Sequence, residues 1–298
     1  MNYKYSFLLL LMICLTSCLK ESDKGCQNAT TVILRHEYKA DGPTNVLIDH
    51  LQYSSLYIYN DQGYLVDKID LDQNQLVSGS IIRGLKKGKH TIVPWANIGK
   101  NTYVESAHKL SEAQIKVTKG DQYYATSDRL YFSKKVIDVP RSFEDAPIEI
   151  SDLLTYQSAH INFRVIAKTP KKRDVTVTLT NTTPVYSFDL GLFKPSETLC
   201  SPKITEEGGS DEVDNYKRVM DFSVLRFKND NSISIELRNK ATNGFLASVV
   251  NLKKLMADNN ISINTRNETL IEVELEFRSG VLNTKIKEWG RTPIIPQN

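Results

Sequence analysis

The residue best placed for chemistry is Cys18, which closes the run Leu15-Thr16-Ser17-Cys18. An aliphatic residue, two small ones and a cysteine form a lipobox, the pattern at which a thiol takes a diacylglycerol and the chain is cut just before it. Small side chains let a peptidase grip an extended backbone, and the thiol is the nucleophile that acquires the lipid. The preceding residues fit this reading: a singly basic start around Lys4, then an apolar run from Phe7 to Leu15. That is a signal peptide over residues 1–17. The run is too short to stay in a bilayer as a helix, which needs about 20 residues. An ordinary cleavage site beside an incidental cysteine is the plainer alternative. With lipid on Cys18, acyl chains contributing about 0.8 kcal/mol per buried methylene hold the mature chain on a membrane permanently.

Residues 18–28 read as a tether, because Leu19 to Gly25 is polar and charged with no apolar period. No Asp directly follows Cys18, which favours the outer membrane. Lys20, Glu21 and Asp23 resemble a surface-export tag, and a charged linker explains them equally well.

The other reactive residue types form no catalytic pattern. Histidines 36, 50, 90, 108 and 160 include no i,i+4 pair, and none lies near a cysteine, so there is no zinc signature. Phosphate loop, nucleophile elbow and dinucleotide fingerprint are all missing. The expectation is no catalytic residue, no metal and no cofactor. Glu144, Asp145 and Glu149 could supply a glycosidase pair, but spacing in sequence cannot set two carboxyls face to face, and surface charge is the ordinary account. The stretch Ser201 to Asn215, with Glu206-Glu207-Gly208-Gly209-Ser210-Asp211-Glu212, reads as a solvated acidic loop; its spacing matches no calcium loop. Trp95, in the apolar run Ile92-Val93-Pro94-Trp95-Ala96, is expected in the core, with a sugar-stacking platform as the alternative. Trp289 is expected to plug a strand end.

Composition bounds the rest. The precursor is 40% hydrophobic and 24% charged, normal for a globular chain. Its net charge of +3 is scattered, which gives no support to nucleic acid as a partner because that needs a concentrated basic face, and no nucleic-acid partner is expected. Cys26 and Cys200 remain after processing. An oxidising compartment would permit a bridge, but the two fall in different domains, so separate thiols are expected.

The elements behind the tether are strands. Thr31 to Leu34 and Val46-Leu47-Ile48 read as strands either side of the turn Asp41-Gly42-Pro43. Leu56-Tyr57-Ile58-Tyr59 and Tyr64-Leu65-Val66 form a hairpin around Asn60-Asp61-Gln62-Gly63. Ile81-Ile82 and Thr91-Ile92-Val93 flank a reversal at Gly84 and Gly88, and Ile115-Lys116-Val117 and Leu130-Tyr131-Phe132 follow. About seven short, closely spaced strands make a two-sheet sandwich. Pro140 and Pro147 bracket a polar stretch, which divides the chain into domains at 29–146 and 147–298. Strands then restart at Ile148-Glu149-Ile150. His160 to Val165 and Val175 to Leu179 alternate with period two, and Tyr186 to Leu190, Val219 to Phe227, Ser232 to Leu237, Leu246 to Val250 and Leu270 to Phe277 complete a second sandwich. Leu252 to Met256 is the best helix candidate.

These segments together resemble the fimbrium anchor family of Bacteroidia, the FimB/Mfa type. The run Leu85-Lys86-Lys87-Gly88-Lys89-His90-Thr91-Ile92-Val93-Pro94-Trp95-Ala96-Asn97 is similar to that family's turn, strand and tryptophan-to-asparagine ending. Leu56 to Gly63, Arg129 to Phe132, His160 to Val165 and Trp289 fit in order behind the lipobox; Pro94 and Gln157-Ser158-Ala159 depart from the family pattern. The resemblance implies two tandem transthyretin-like β-sandwich domains, all-β, in an outer-membrane lipoprotein at the base of a surface pilus. Its implied partners are the membrane, through the lipid, and a fimbrillin stalk subunit, through β-strand complementation. The tail Arg291 to Pro296, with Thr292, Ile294 and Ile295, is the expected donor, or else an adjacent edge strand; the prolines of the tail cannot donate to a ladder. The rival expectation is a surface glycan-binding lipoprotein of a nutrient-uptake system; a lipoprotein hydrolase is the more remote one.

Overall fold

Period-two alternation is strong where one face of a strand meets a core and lost where both faces are covered, and the strand Tyr53–Tyr59 shows why. Leu56 and Ile58 point into one core while Tyr57 and Tyr59 point into another, so its four final residues are all buried. The structure, a computed structural model, describes residues 30–121, 123–140, 149–169, 175–189, 199–200, 203–210, 215–239, 242, 244–246, 248–264, 266–278 and 281–290.

The first part of the chain contributes β1 (Thr30–Glu37), β2 (Tyr53–Tyr59), β3 (Leu65–Asp72), β4 (Ser80–Leu85), β5 (Gly88–Ala96), β6 (Thr102–Glu105), β7 (Gln114–Val117), β8 (Tyr131–Phe132), β9 (Lys135–Val139), β10 (Glu149–Thr155) and β11 (Gln157–Ser158). A three-stranded sheet, β10-β1-β4, faces a six-stranded one, β11-β8-β5-β2-β3 with β9 also on β5. Val32, Leu34, Leu56, Ile58, Ile92 and Leu154 fill the space between them. The β2–β3 hairpin turns where expected: Asn60 Oδ1 accepts from the backbone N–H of Gln62 and Tyr64, and Gly63 takes φ +78°.

The remainder contributes β12 (His160–Thr169), β13 (Val175–Thr180), β14 (Val185–Ser187), β15 (Leu199–Cys200), β16 (Lys203–Ser210), β17 (Asn215–Leu225), β18 (Ser234–Asn239), β19 (Val250–Asn251), β20 (Leu270–Arg278) and β21 (Val281–Gly290). Sheets β16-β17-β12-β20-β21 and β15-β13-β18-β19 enclose a second core around Phe163, Val177, Phe222, Ile235 and Val273. The all-β, two-sandwich reading holds. A small third layer, β14-β7-β6, takes one strand from the second part and two from the first. Short helices α1 (Leu47–His50), α2 (Gln73–Ser78) and α3 (Leu252–Asp258) lie between strands. α2 opens on a capping box of Asp72 and Gln75. Asn251 caps α3 through the Lys254 N–H, where the sequence placed its helix.

Several sequence expectations differ from the structure: Tyr186 to Leu190 does not complete the second sandwich, since β14 pairs with β7, and among the described residues of Leu246 to Val250 only Val250 is in a strand. Val46-Leu47-Ile48 leads into the single turn of α1: Asn45 Oδ1 accepts from the N–H of Tyr38 and of Leu47, closing the chain locally and leaving Leu47 buried and Ile48 exposed. The acidic stretch is a strand, not a loop, over Lys203–Ser210, because β16 pairs antiparallel with β17 from Lys203↔Asp221 to Ser210↔Asn215. The strand restart near residue 149 belongs with the first sandwich: β10 pairs in parallel with β1, from Thr31↔Glu149 to Glu37↔Thr155, and β11 pairs with β8. β9, the strand before the Pro-bracketed stretch, pairs with β5, so the described strands on both sides of that stretch belong to the first sandwich.

Candidate functional site

The two sandwiches repeat one strand plan. β1 lies between antiparallel β4 and parallel β10, and β12 lies between antiparallel β17 and parallel β20. The plan is then extended only in the second, where β16 continues the sheet beyond β17 and β21 continues it beyond β20, through nine paired residues from Leu270↔Gly290 to Arg278↔Val281. Among the described residues, β10 and β4 end the three-stranded sheet with no further strand. An unpaired edge offers a row of N–H and C=O groups to another chain. β3, one rim of the other sheet, carries exposed Asp67, Lys68, Asp70 and Asp72, the charge pattern that discourages pairing. On β10 the exposed side chains include Ser151 and Leu153, the latter 44% exposed, while Asp152 is engaged by Lys135 at 2.7 Å. β10 is therefore the less protected rim.

The sandwiches are held together by a polar seam and an apolar one. At the polar seam Glu268, 3% exposed, accepts a hydrogen bond from the Tyr38 hydroxyl and lies 3.5 Å from His50 Nδ1, which in turn contacts the Tyr131 hydroxyl at 3.0 Å. Asp41 accepts from the backbone N–H of Asn267 at 2.7 Å and of Glu268 at 3.2 Å. Arg226 donates to the carbonyls of Asn267 and Ile263. Burial pushes the Glu268 carboxyl up, but His160 nearby and hydrogen bonds from Tyr38 and Tyr131 outweigh this and leave it below the usual carboxylate range. Burial pushes the Tyr38 and Tyr131 phenols up, and the Glu268 charge pushes them further. Buried His160 is lowered to about 4 by desolvation, so it is neutral at pH 7; its Nδ1 lies 3.0 Å from the Leu130 carbonyl and its Nε2 has no partner among the described residues.

At the apolar seam β14 crosses over, pairing Val185↔Lys116 and Ser187↔Gln114 with β7. The next residue, Phe188, is fully buried against Tyr57 and Trp95, with ring centroids 5.0 and 5.5 Å apart. Trp95 is thus a core residue, as expected, shared between the two parts of the chain.

Cys18, the tether, Cys26, Glu144, Asp145 and the tail residues Thr292, Ile294 and Ile295 lie outside the described residues. Glu149 opens β10 and is exposed. Cys200 is a buried thiol whose Sγ lies 3.6 Å from the Ala125 carbonyl, with burial raising its pKa to about 12. Among the described residues no three histidine, cysteine or acidic side chains gather in a metal-binding group, and no helix is long and apolar enough to cross a membrane. Sequence reasoning missed the seam and β21. The seam joins Tyr38 and Asp41 to Asn267 and Glu268, and no local pattern signals a pairing at that separation.

Two sandwiches on one strand plan, tied by a shared third layer, define a tandem β-sandwich protein. The chain belongs to the family of fimbrillin-A associated anchor proteins Mfa1 and Mfa2, whose family model matches residues 22–292. No curated protein sequence matches it significantly. Among solved structures it is similar to the fimbrial anchor protein Mfa2 from Porphyromonas gingivalis, with TM-score 0.70 at 14% identity over 88% of this chain and 98% of that one. A candidate adhesin from Bacteroides ovatus gives TM-score 0.69 at 10% identity over 89% and 97%. A candidate polysaccharide-binding protein from Bacteroides thetaiotaomicron gives 0.68 at 12% over 88% and 98%. The family and the first two of these structures are of anchor and adhesin type.

Proposed function

We propose that this protein is an outer-membrane lipoprotein that holds a fimbrium to the cell, with lipid on Cys18 at one end and a strand junction to a fimbrillin stalk subunit at the other. Membership of the anchor family over residues 22–292 carries the reading. An anchor needs an attachment that does not dissociate, and acyl chains on a cysteine provide one. It also needs a junction that bears load, and main-chain hydrogen bonds along a completed sheet edge provide that. The tail with Thr292, Ile294 and Ile295, following directly on β21, is the donor in this reading, and the β10 rim is the second place at which a strand can add. The two domains divide after Ser158, where strand pairing passes from one sandwich to the other, and the seam between them transmits load from lipid to stalk.

Fractionation of cells carrying Cys18→Ala tests the first half: the protein and any attached fimbriae move to the medium, and an unchanged membrane fraction would refute lipid anchoring. Deleting residues 291–298 tests the second, with shed fimbriae expected. Fimbriae that stay attached remove the tail from the junction.

A further inference from the structure

The third layer does not roof the whole outer face of β2 and β3. Between that face and β6 lies an open groove of about 560 Å3, within the size range of small-ligand sites. Period two puts Tyr53, Ser55 and Tyr57 on the same face of β2, and the register sets Lys68 beside Tyr57 and Asp70 beside Ser55. Tyr57 is nearly buried, while Tyr53 and Tyr103 are 41% and 45% exposed. Trp95 also lines the groove, fully buried, and its indole N–H has no acceptor among the described residues. Buried donors are almost always partnered, so this one marks an unmet hydrogen bond beside the groove.

We propose that this groove binds a short neutral oligosaccharide. Tyrosine ring faces carry the negative side of the aromatic quadrupole and present flat apolar surface to the C–H face of a pyranose. Asp70 accepts from Ser55 Oγ at 2.5 Å and lies 3.1 Å from Lys68 Nζ, and these contacts hold it ionised. With its side chain 71% exposed, the carboxylate keeps lone pairs for a ligand. A carboxylate and an ammonium side by side match two adjacent sugar hydroxyls, one donating and the other accepting. An anionic ligand would meet Asp70, with Asp72 next on the same face of β3. An extended peptide would gain main-chain pairing at a sheet edge; the β2 backbone is already paired to β3 and β5, and the edge that borders the groove, β6, is only four residues long. A neutral polyol is the ligand left.

The inference does not rest on the anchoring function. It is tested by calorimetric titration of the mature chain in detergent with maltohexaose, cellohexaose and mannohexaose. At least one should bind, and Tyr103→Ala and Asp70→Asn, both at exposed positions, should each weaken it tenfold or more. Tyr64→Ala, an exposed tyrosine outside the groove, should leave it unchanged. No binding of any of the three sugars, or binding indifferent to both groove variants, overturns the proposal. Fimbrial attachment in the same variants should be unaffected, which keeps this outcome separate from that of the anchor.

Discussion

The two sandwiches start from one plan and spend their additional strands differently. The first keeps its β10-β1-β4 sheet at three strands and places β6 and β7 as a layer over the face of the other sheet, where β14 and Phe188 from the second part join them. Among the described residues the second adds no such layer and widens its sheet to five with β16 and β21. A layer on a face gives the first sandwich somewhere to hold its neighbour, and leaves two sheet rims open. A widened sheet leaves the second with its parallel strand β20 covered. The open rim and the seam therefore lie on the same sandwich, which suits a part that must be held on one side and remain available on another.

The largest test of that contrast removes β21. Deleting residues 281–298 gives the second sandwich the bare parallel strand that the first tolerates. At about 1 kcal/mol net per hydrogen bond, losing the nine-residue pairing should cost roughly 5 kcal/mol or more, seen as a lowered urea midpoint and as aggregation by light scattering. Undiminished stability would mean that β21 is dispensable and that the two rims are alike. Breaking the seam comes next. Glu268→Ala leaves the Tyr38 hydroxyl and His50 without their buried partner and should cost about 3–5 kcal/mol. Phe188→Ala should cost a similar 3–5 kcal/mol through a cavity against Trp95 and Tyr57. In either variant one calorimetric unfolding transition should separate into two, one for each sandwich. A single transition at lower temperature would show that the sandwiches are coupled by other contacts.

The legible parts of this molecule were those fixed by neighbours in sequence. The Asn60 to Gly63 turn, the reversals at Gly84 and Gly88 with φ of +76° and +114°, the helix at Leu252 to Met256, and the alternation of β12 and β13 all depend on residues a few positions apart. What could not be read depends on pairing across the chain. Val46 to Ile48 has strand composition, yet one Asn45 side chain turns it into a helix. Residues 203–210 look solvated until β17 is set beside them, and β10 looks like a beginning until it is set beside β1. The same holds for the candidate sites: a lipobox is four adjacent residues, while the seam and the groove are assembled from segments that meet only in the fold.

Acidification is a milder probe. His36 and His160 are both lowered to about 4 by burial, against an ordinary value of 6.5. Between those values the unfolded chain binds protons that the folded chain refuses, so stability is full above about pH 6.5 and falls as pH drops toward 4, by up to about 3 kcal/mol for each histidine. His36 lies inside the first sandwich, bonded to Ser80 at 2.8 Å, and His160 lies at the seam, so His36→Gln and His160→Gln assign the loss to a core or to the junction. Each should flatten the urea midpoint against pH between 7 and 4.5, and the steeper residual slope identifies the weaker region.

The smallest effect on stability, and the sharpest on function, belongs to Leu153→Lys. The side chain is 44% exposed on the β10 rim, so the folded protein should change by no more than about 0.5 kcal/mol. A lysine on an edge strand opposes further pairing. If a stalk strand adds at β10, fimbriae should detach while the lipidated protein stays in the membrane fraction, and Val281→Lys on the β21 rim, 58% exposed in the wild type, should have the weaker effect. The reverse order would transfer the junction to the widened sheet, and with it the idea that the first sandwich keeps its rim bare for a partner.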